Sequence, residues 1–212
     1  MPQTTNPPPP LPEDFDTFQA TDKELGAFGY RRKHPMDDSL DRIMRALNED
    51  NGLEYVDKVI IEKDVSKESA RVATRIATYL NNAGGLAGIA EVYGSDLTYR
   101  CWADDPDRRR RPDASLILSS RLAELGDDVG EMPIVPDLCI EVVSPGDLHQ
   151  NFMRKMTDYR DADFPLIWVV NPELRTCNVV TGSIIRQIHS DDVLELPDLL
   201  PDFRHTLGEL IG

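Results

Sequence analysis

Apolar residues recur at intervals of three and four positions in three segments, and each of these segments predicts a helix. The strongest pattern begins after Ser66, a good N-cap residue, and ends at Gly84-Gly85. Its apolar stripe contains Val72, Ile76 and Leu80. A shorter pattern in SLDRIMRAL predicts a helix between residues 37 and 48, and a third pattern predicts a helix over residues 146–161.

Short apolar runs between and after these helices predict strands. The runs cover residues 56–62, 88–93, 97–102, 113–118, 138–143, 166–170, 176–180 and 184–189. The last two runs predict a hairpin, and the final segment, LELPDLLPDFRHTLGELIG, is apolar enough to dock on the core. A helix, several strands, a helix and a further strand predict an α/β fold with a mixed central β-sheet flanked by helices.

One acidic residue, Glu141, interrupts the apolar strand in PDLCIEVVSP, residues 136–145. Consecutive residues of a strand point to opposite faces, so apolar residues at nearly every position predict a central strand that is covered on both faces. A buried carboxylate without a partner would carry a large desolvation penalty, so Glu141 needs a metal, a cation or several donors. Asp113 opens a similar run in RRPDASLIL. Two carboxylates on neighbouring strands, with a lysine nearby, would form a metal-dependent hydrolytic site.

The helix after this strand contains a candidate lysine. Its apolar stripe is formed by Leu148, Phe152, Met156 and Tyr159. Lys155 falls on the same stripe, three residues after Phe152 and four before Tyr159. An inward-facing lysine needs an anion, and Glu141 and Asp113 are the candidates. The alternative is that Lys155 extends along the helix edge with its ammonium in solvent. The spacing supports both interpretations equally.

Length and composition indicate one domain with an extension. PPPPLP near the start predicts a disordered, proline-rich extension over residues 1–36, followed by a single domain over residues 37–212. No apolar run approaches the roughly 20 residues that span a bilayer. The first residues lack the basic start and apolar core of a signal peptide. These features predict a cytoplasmic protein with no membrane partner.

The formal net charge of −15 restricts how the chain can contact nucleic acid, because non-specific phosphate binding usually requires a basic surface. The one dense basic block is RRRR at 108–111. It either contacts phosphate or offsets the acidic DDPD at 104–107 in a solvated loop. Three dispersed cysteines, with no CxxC pair, are expected to be reduced and buried.

Three segments together resemble the Uma-two family of restriction-endonuclease-like proteins, in the PD-(D/E)XK nuclease superfamily. They are RRPDASLIL, PDLCIEVVSP and MRKMTDYRDADFPLIWVVNPELRT. The family pattern is an R-x-PD strand, a PDL-x-x-EV-x-SP strand, a K-x-x-x-Y helix, a V-W-V-V strand ending in DP or NP, and a final LP-x-F. LLPDF at 199–203 matches the last element, and the resemblance covers about three quarters of the chain, from about residue 53 to the C-terminus.

The resemblance implies a restriction-endonuclease-like core and a set of site residues. Asp113 matches the metal-binding aspartate, and Glu141 matches the second acidic ligand. The superfamily usually has lysine two residues after that glutamate, where this chain has Val143. Lys155 then matches a lysine that has migrated to the following helix. The implied cofactor is Mg²⁺, with Mn²⁺ as a substitute, held by Asp113, Glu141 and a backbone carbonyl near Ile140 or Val142.

Five further residues were considered for the site. Glu62 and Glu91 lie near earlier strands and are weak candidates for it. Asp137 is expected to be structural, and Tyr159 and Trp168 are expected to pack rather than react.

Three functions compete. The leading prediction is a metal-dependent DNA endonuclease, a homodimer if it cuts both strands. The second is an inactive nuclease-fold protein that binds nucleic acid or a protein partner, which the acidic charge and the absent strand lysine favour. The third is a different hydrolase with a similar metal site.

Overall fold

The computed structural model of the protein describes residues 53–56, 59–62, 66–125, 130–144 and 149–212. The predicted extension, the boundary at residue 37 and the predicted helix between residues 37 and 48 lie outside the described residues. Within the described ranges, no helix is long and apolar enough to cross a membrane.

Ten strands and four α-helices make up the regular structure of the described residues. The strands are β1 (Leu53–Val56), β2 (Val59–Glu62), β3 (Ala90–Gly94), β4 (Ala114–Leu118), β5 (Leu138–Val142), β6 (Ile167–Asn171), β7 (Thr176–Thr181), β8 (Ile184–His189), β9 (Val193–Leu196) and β10 (Leu200–Thr206). The helices are α1 (Lys67–Leu80), α2 (Ser119–Leu122), α3 (His149–Asp161) and α4 (Leu207–Ile211), and a π-helical turn, Asn81–Gly85, follows α1.

A six-stranded sheet with the order β3-β4-β5-β6-β7-β8 forms the centre of the fold. β5 and β6 are parallel, and the other neighbouring pairs of this sheet are antiparallel. A parallel pair needs a crossover connection, and α3 lies in the connection between β5 and β6. The pairs β1–β2 and β9–β10 form separate two-stranded sheets. The prediction of an α/β fold with a mixed central sheet is confirmed.

One face of the sheet is covered by α1, α4 and the β9–β10 pair. Leu138, Ile140 and Val142 of β5 contribute to the apolar cluster on this face. The cluster also contains buried residues of the covering elements, namely Val72, Ile76, Leu80, Leu196, Leu200, Phe203, Leu207 and Leu210. The predicted stripe of α1 is therefore the buried face of that helix, and the apolar C-terminal segment docks as predicted.

The opposite face of the sheet carries a smaller cluster beside α3. Cys139 of β5 packs there with Tyr159 of α3 and with Phe164. Tyr99 and Trp102, from the loop between β3 and β4, belong to the same cluster. All five residues of β5 are buried, as predicted for a central strand covered on both faces. Successive side chains of a strand alternate between faces, so Glu141 points to the same side as Cys139.

Two of the predicted strands are wrong in detail. The run over residues 56–62 is two strands, because Val56 pairs with Val59 and the chain reverses there. The run over residues 97–102 forms only isolated bridges, at Tyr99 with Arg110 and with Met132. Its large residues are buried through loop packing rather than through a strand ladder, which produces the same apolar spacing. The C-terminal hairpin forms as predicted between β7 and β8.

A chain of serine hydroxyls joins the start of α1 to the end of β5. Ser66 caps the helix by accepting from the Ser69 N–H at 3.0 Å, and the Ser69 hydroxyl accepts from the Ser66 N–H at 3.0 Å. The Ser144 hydroxyl donates to the Ser69 hydroxyl at 2.8 Å, and both residues are buried. This link fixes the helix against the strand that carries Glu141.

We expect Ser69→Ala to lower the free energy of unfolding by about 1–3 kcal/mol, because it removes the buried hydroxyl that bonds both the Ser66 N–H and the Ser144 hydroxyl. Urea denaturation measures the change. Thr74→Ala is the control, since its exposed hydroxyl donates only to the Ala70 carbonyl at 2.9 Å, and its effect should stay within about 0.5 kcal/mol. Equal effects of the two variants would contradict the structural role of the link.

Candidate active site

The two predicted carboxylates lie at one end of the β4–β5 ladder. The register pairs Ala114 with Ile140, so Asp113 and Glu141 are the next residues on the two strands. The Asp113 N–H donates to the Ile140 carbonyl at 3.0 Å, and its carboxylate accepts from the Val142 N–H at 2.7 Å. Asp113 and Glu141 are 7% and 5% exposed. The structure therefore brings both carboxylates together in a place that is largely closed to solvent.

Two side chains of α3 contact the Glu141 carboxylate. The Tyr159 hydroxyl donates to one oxygen at 2.6 Å, and the Lys155 ammonium lies 3.0 Å from the other. Tyr159 and Lys155 are four residues apart on the helix, so both project toward β5 from one face. Tyr159 is expected to pack rather than react, and its ring does stack on Phe164, while its hydroxyl also donates to Glu141.

Lys155 faces inward, and this is the interpretation that the structure supports over a position at the helix edge. It is 8% exposed and lies 3.1 Å from Glu54 as well as beside Glu141. Its ammonium also donates to the Arg111 carbonyl at 3.2 Å. Burial opposes the charge, but the negative charges of Glu141, Glu54 and Asp113 outweigh it and raise the pKa of Lys155 above its ordinary value. Lys155 is thus a cation in this structure.

Glu54 of β1 is a site residue that the sequence reasoning missed. It is 4% exposed, accepts from the Arg111 N–H at 3.0 Å, and pairs with Lys155 and Arg110. The signal was present, because LEYV is a short apolar strand with a single acid, the same pattern that identified Glu141. Of the two weak candidates, Glu91 is exposed on β3, and Glu62 is the last residue of β2, where its backbone pairs with Leu53.

The arginine block does not form a phosphate-binding surface, and it does not lie in a solvated loop. Arg109, Arg110 and Arg111 are at most 5% exposed. Arg110 bridges Glu54 at 3.0 Å and Asp158 of α3 at 2.7 Å, and Arg109 pairs with Glu131 at 2.7 Å. Buried guanidinium groups require such partners, because an unpaired buried charge is strongly destabilising. Two pairings match the predicted balance with DDPD, Arg108 with Asp105 at 3.2 Å and Arg109 with Asp107 at 3.9 Å.

A few oxygen atoms at this end of the ladder could hold a hard divalent ion. Among the described residues, no group of three or more His, Cys, Asp or Glu side chains is arranged to hold a metal ion. Asp113 and Glu141 supply two carboxylates, and the Ile140 carbonyl lies between them in the ladder. Oxygen atoms of this kind are the ligands that Mg²⁺ prefers, with water filling the remaining positions.

Two predicted structural residues have the roles expected of them. Asp137 accepts from the Leu118 N–H at 2.8 Å and pairs with Arg121 at 2.8 Å, which fixes the β4–α2 junction. Trp168 is buried on the far side of the sheet, where its ring packs 5.8 Å from that of Phe203. The three cysteines are free, and Cys139 and Cys177 are buried as predicted, whereas Cys101 is half-buried.

We expect Arg110→Leu to lower the free energy of unfolding by about 3–5 kcal/mol, because it leaves the buried Glu54 and Asp158 carboxylates without their shared cation. Chemical denaturation in metal-free buffer measures the change. Arg204→Leu is the matched control: it removes an exposed pair with Glu195, and its effect should be below about 1 kcal/mol. A loss no larger than that of the control would contradict the internal role of the arginine block.

Comparison with known proteins places this chain in a family. A family model, Uma2, described as "Putative restriction endonuclease", matches residues 38–208. A solved structure described as "a putative nuclease belonging to DUF820", from Anabaena variabilis ATCC 29413, is similar with a TM-score of 0.69 and 19% sequence identity, covering 82% of this chain and 98% of that chain. No curated protein matches the chain. The structural likeness confirms the nuclease-like fold, and the model match shows that the chain belongs to the Uma2 family.

Proposed function

We propose that this protein is a metal-dependent endonuclease that hydrolyses DNA phosphodiester bonds at Asp113, Glu141 and Lys155. The observation that carries the proposal is the 3.0 Å ion pair between Lys155 and Glu141, at the end of the ladder that holds Asp113. Two carboxylates can hold a divalent ion and a lysine can stabilise negative charge, and these are groups with which a protein can hydrolyse a phosphate diester. Membership of a family described as restriction endonucleases supports DNA as the substrate.

Asp113 and Glu141 would hold Mg²⁺, with Mn²⁺ as a substitute. A divalent ion bound there lowers the pKa of a coordinated water and stabilises negative charge on the scissile phosphate. The chain's own residues prepare this place. The Val142 N–H holds Asp113 from one side at 2.7 Å, and the Tyr159 hydroxyl holds Glu141 at 2.6 Å. Fixed carboxylates need little rearrangement to bind a cation.

Lys155 is the protein's own cation beside the two carboxylates. Hydrolysis joins a water oxygen to phosphorus and breaks one ester P–O bond, and negative charge grows on the phosphoryl oxygens in the transition state. A buried ammonium beside the carboxylates can stabilise that charge and orient the attacking water. We assign Lys155 these roles because its ammonium lies 3.0 Å from Glu141 and 3.1 Å from Glu54, beside the place where the scissile phosphate would bind.

The first test is cleavage of supercoiled plasmid and of single-stranded DNA with Mg²⁺ or Mn²⁺. We expect a chelator to abolish cleavage, Glu141→Gln to remove it, and Lys155→Met to reduce it by about 100-fold or more, as loss of one charge-stabilising group in a transition state does. The controls are Glu91→Gln and Lys67→Met, which change an exposed acid and an exposed lysine far from the site in sequence. They should retain wild-type cleavage.

Cleavage that persists in Glu141→Gln would come from another site or a contaminant, and it would contradict the assignment. Wild-type protein that cuts no nucleic acid with any divalent metal would contradict the nuclease itself. Turnover of a different phosphoester by such protein, lost in Glu141→Gln, would indicate another hydrolase.

Tyr159→Phe tests whether the hydroxyl positions Glu141. The ring packing against Phe164 is kept, and only the 2.6 Å hydrogen bond is lost. We expect metal affinity, measured by calorimetry, to fall by about 10- to 100-fold, as it does when the hydrogen-bond partner of a metal ligand is removed. An unchanged affinity in a normally folded variant would show that the hydroxyl does not position this ligand.

The second candidate is a nuclease-fold protein that binds a partner without cutting. Two observations favour it: Val143 occupies the usual position of the strand lysine, and the arginine block is used inside the fold rather than on a surface for phosphate. DNA binding with no cleavage, by protein that binds Mg²⁺ normally, would support this candidate.

A double-strand cut adds a further requirement. One site of this kind breaks one strand, so we propose a homodimer if both strands of the plasmid are cut together. Linear product formed without a nicked intermediate, by protein that sediments as a dimer, would support it. Linear product formed in the same way by protein that sediments as a monomer would contradict it.

A further inference from the structure

Glu54, Lys155 and the backbone of Arg111, two residues before Asp113 in the sequence, form a closed ring of contacts. One oxygen of its carboxylate accepts from the Arg111 N–H at 3.0 Å and lies 3.1 Å from the Lys155 ammonium. That ammonium donates in turn to the Arg111 carbonyl at 3.2 Å. The lysine is thereby tied to β1 and to the backbone two residues before Asp113, in addition to Glu141.

Glu54 is itself held by groups other than the lysine. Its second oxygen lies 3.0 Å from Arg110, and Arg110 donates to Asp158 at 2.7 Å. Asp158 lies on α3, the helix that also carries Lys155. With donors on both oxygens, the orientation of the Glu54 carboxylate does not depend on Lys155.

Lys155 is therefore shared between two carboxylates, Glu141 at 3.0 Å and Glu54 at 3.1 Å. A divalent cation on Glu141 would compete with the ammonium for the same oxygen atoms and would repel it. With Glu141 as the sole partner, a buried lysine would then lose its counter-charge, which is costly in a low-dielectric interior. Glu54 of β1 supplies a second buried anion, 3.1 Å from the ammonium.

We propose that Glu54 is a positioning residue, which keeps Lys155 beside the Asp113–Glu141 pair when Glu141 binds a cation. The inference rests on the proposed function, because it assigns Glu54 a part in that same site. Glu54 acts through Lys155 rather than as a metal ligand, since its carboxylate faces two cations, Arg110 and Lys155, that would repel a metal ion, whereas Glu141 pairs with Lys155 and accepts from the neutral Tyr159 hydroxyl. The arginine block thus serves the site from inside the fold.

The experiment follows the Lys155 ammonium directly, by NMR of protein with ¹⁵N-labelled lysine. The chain has few lysines, and the Lys155→Met variant assigns the signal. A buried ammonium held by two carboxylates should give a signal protected from exchange, with and without Mg²⁺. In Glu54→Gln, we expect the signal to be lost when Mg²⁺ is added. Glu54→Asp keeps the charge, supports folding if Glu54→Gln does not, and should show the same loss because it is one methylene shorter.

Cleavage kinetics supply the second readout. Glu54→Gln should lower kcat by about 10- to 100-fold with little change in KM, a range typical of residues that orient a functional group. The double variant with Lys155→Met should be no slower than Lys155→Met alone, since Glu54 acts through the lysine. Glu131→Gln is the matched control, because Glu131 pairs with Arg109 of the same block at 2.7 Å, and it should leave the signal and kcat unchanged.

Each outcome decides the proposal. A Lys155 signal that persists with Mg²⁺ in both folded Glu54 variants overturns it, even if cleavage falls. Additive losses in the double variant overturn it too, since Glu54 would then act independently of the lysine. Wild-type protein that binds no divalent metal and cuts no DNA would refute the proposed function, and with it the positioning role. Normal wild-type cleavage with normal kcat in Glu54→Gln would refute the positioning role alone.

Discussion

The ion pair between Lys155 and Glu141 is the interaction on which this side of the fold depends. Both residues are buried, and a buried charge needs a partner of opposite charge. The pair joins α3 to β5, and its second contact, Glu54, extends the network to the β1–β2 hairpin. Arg110 continues it back to α3 through Asp158. The charged residues of the candidate site therefore belong to the same ion-pair network that holds α3, β1 and β5 together.

The two faces of the central sheet differ in what they bury. On one face, α1, α4 and β9–β10 bury a continuous apolar cluster, which supplies most of the hydrophobic stabilisation. On the other, Tyr159 packs with Phe164 in a smaller apolar cluster and donates its hydroxyl hydrogen to Glu141 of the charged cluster. β5 belongs to both, because Ile140 points into the first face and Glu141 into the second. The rigid apolar side holds the strand on which the carboxylate must stay fixed.

Sequence reasoning succeeded where a residue breaks a local pattern. Glu141 is the one acid in a buried strand, and it is buried as that pattern indicated. Lys155 is a charge on an apolar stripe, whose spacing leaves an inward and a solvent-facing position equally open, and the structure shows it facing inward. It failed where the partner is distant in sequence. Glu54 lies 57 residues from Arg111, and the partners of Arg110 lie 48 and 56 residues away. The nearby acids of DDPD suggested local pairing for the arginines, but only tertiary contacts decide which carboxylate a buried guanidinium meets.

The most direct test of the central claim is anomalous diffraction from crystals of the protein soaked in Mn²⁺, in the wild type and in Glu141→Gln. The account predicts one strong Mn²⁺ peak between the carboxylates of Asp113 and Glu141, with Lys155 still in contact with Glu54, and no such peak in the variant. Mn²⁺ bound only at exposed acids, with the Lys155–Glu141 pair intact at saturating metal, would contradict it. That result would make the buried cluster a purely structural ion-pair network.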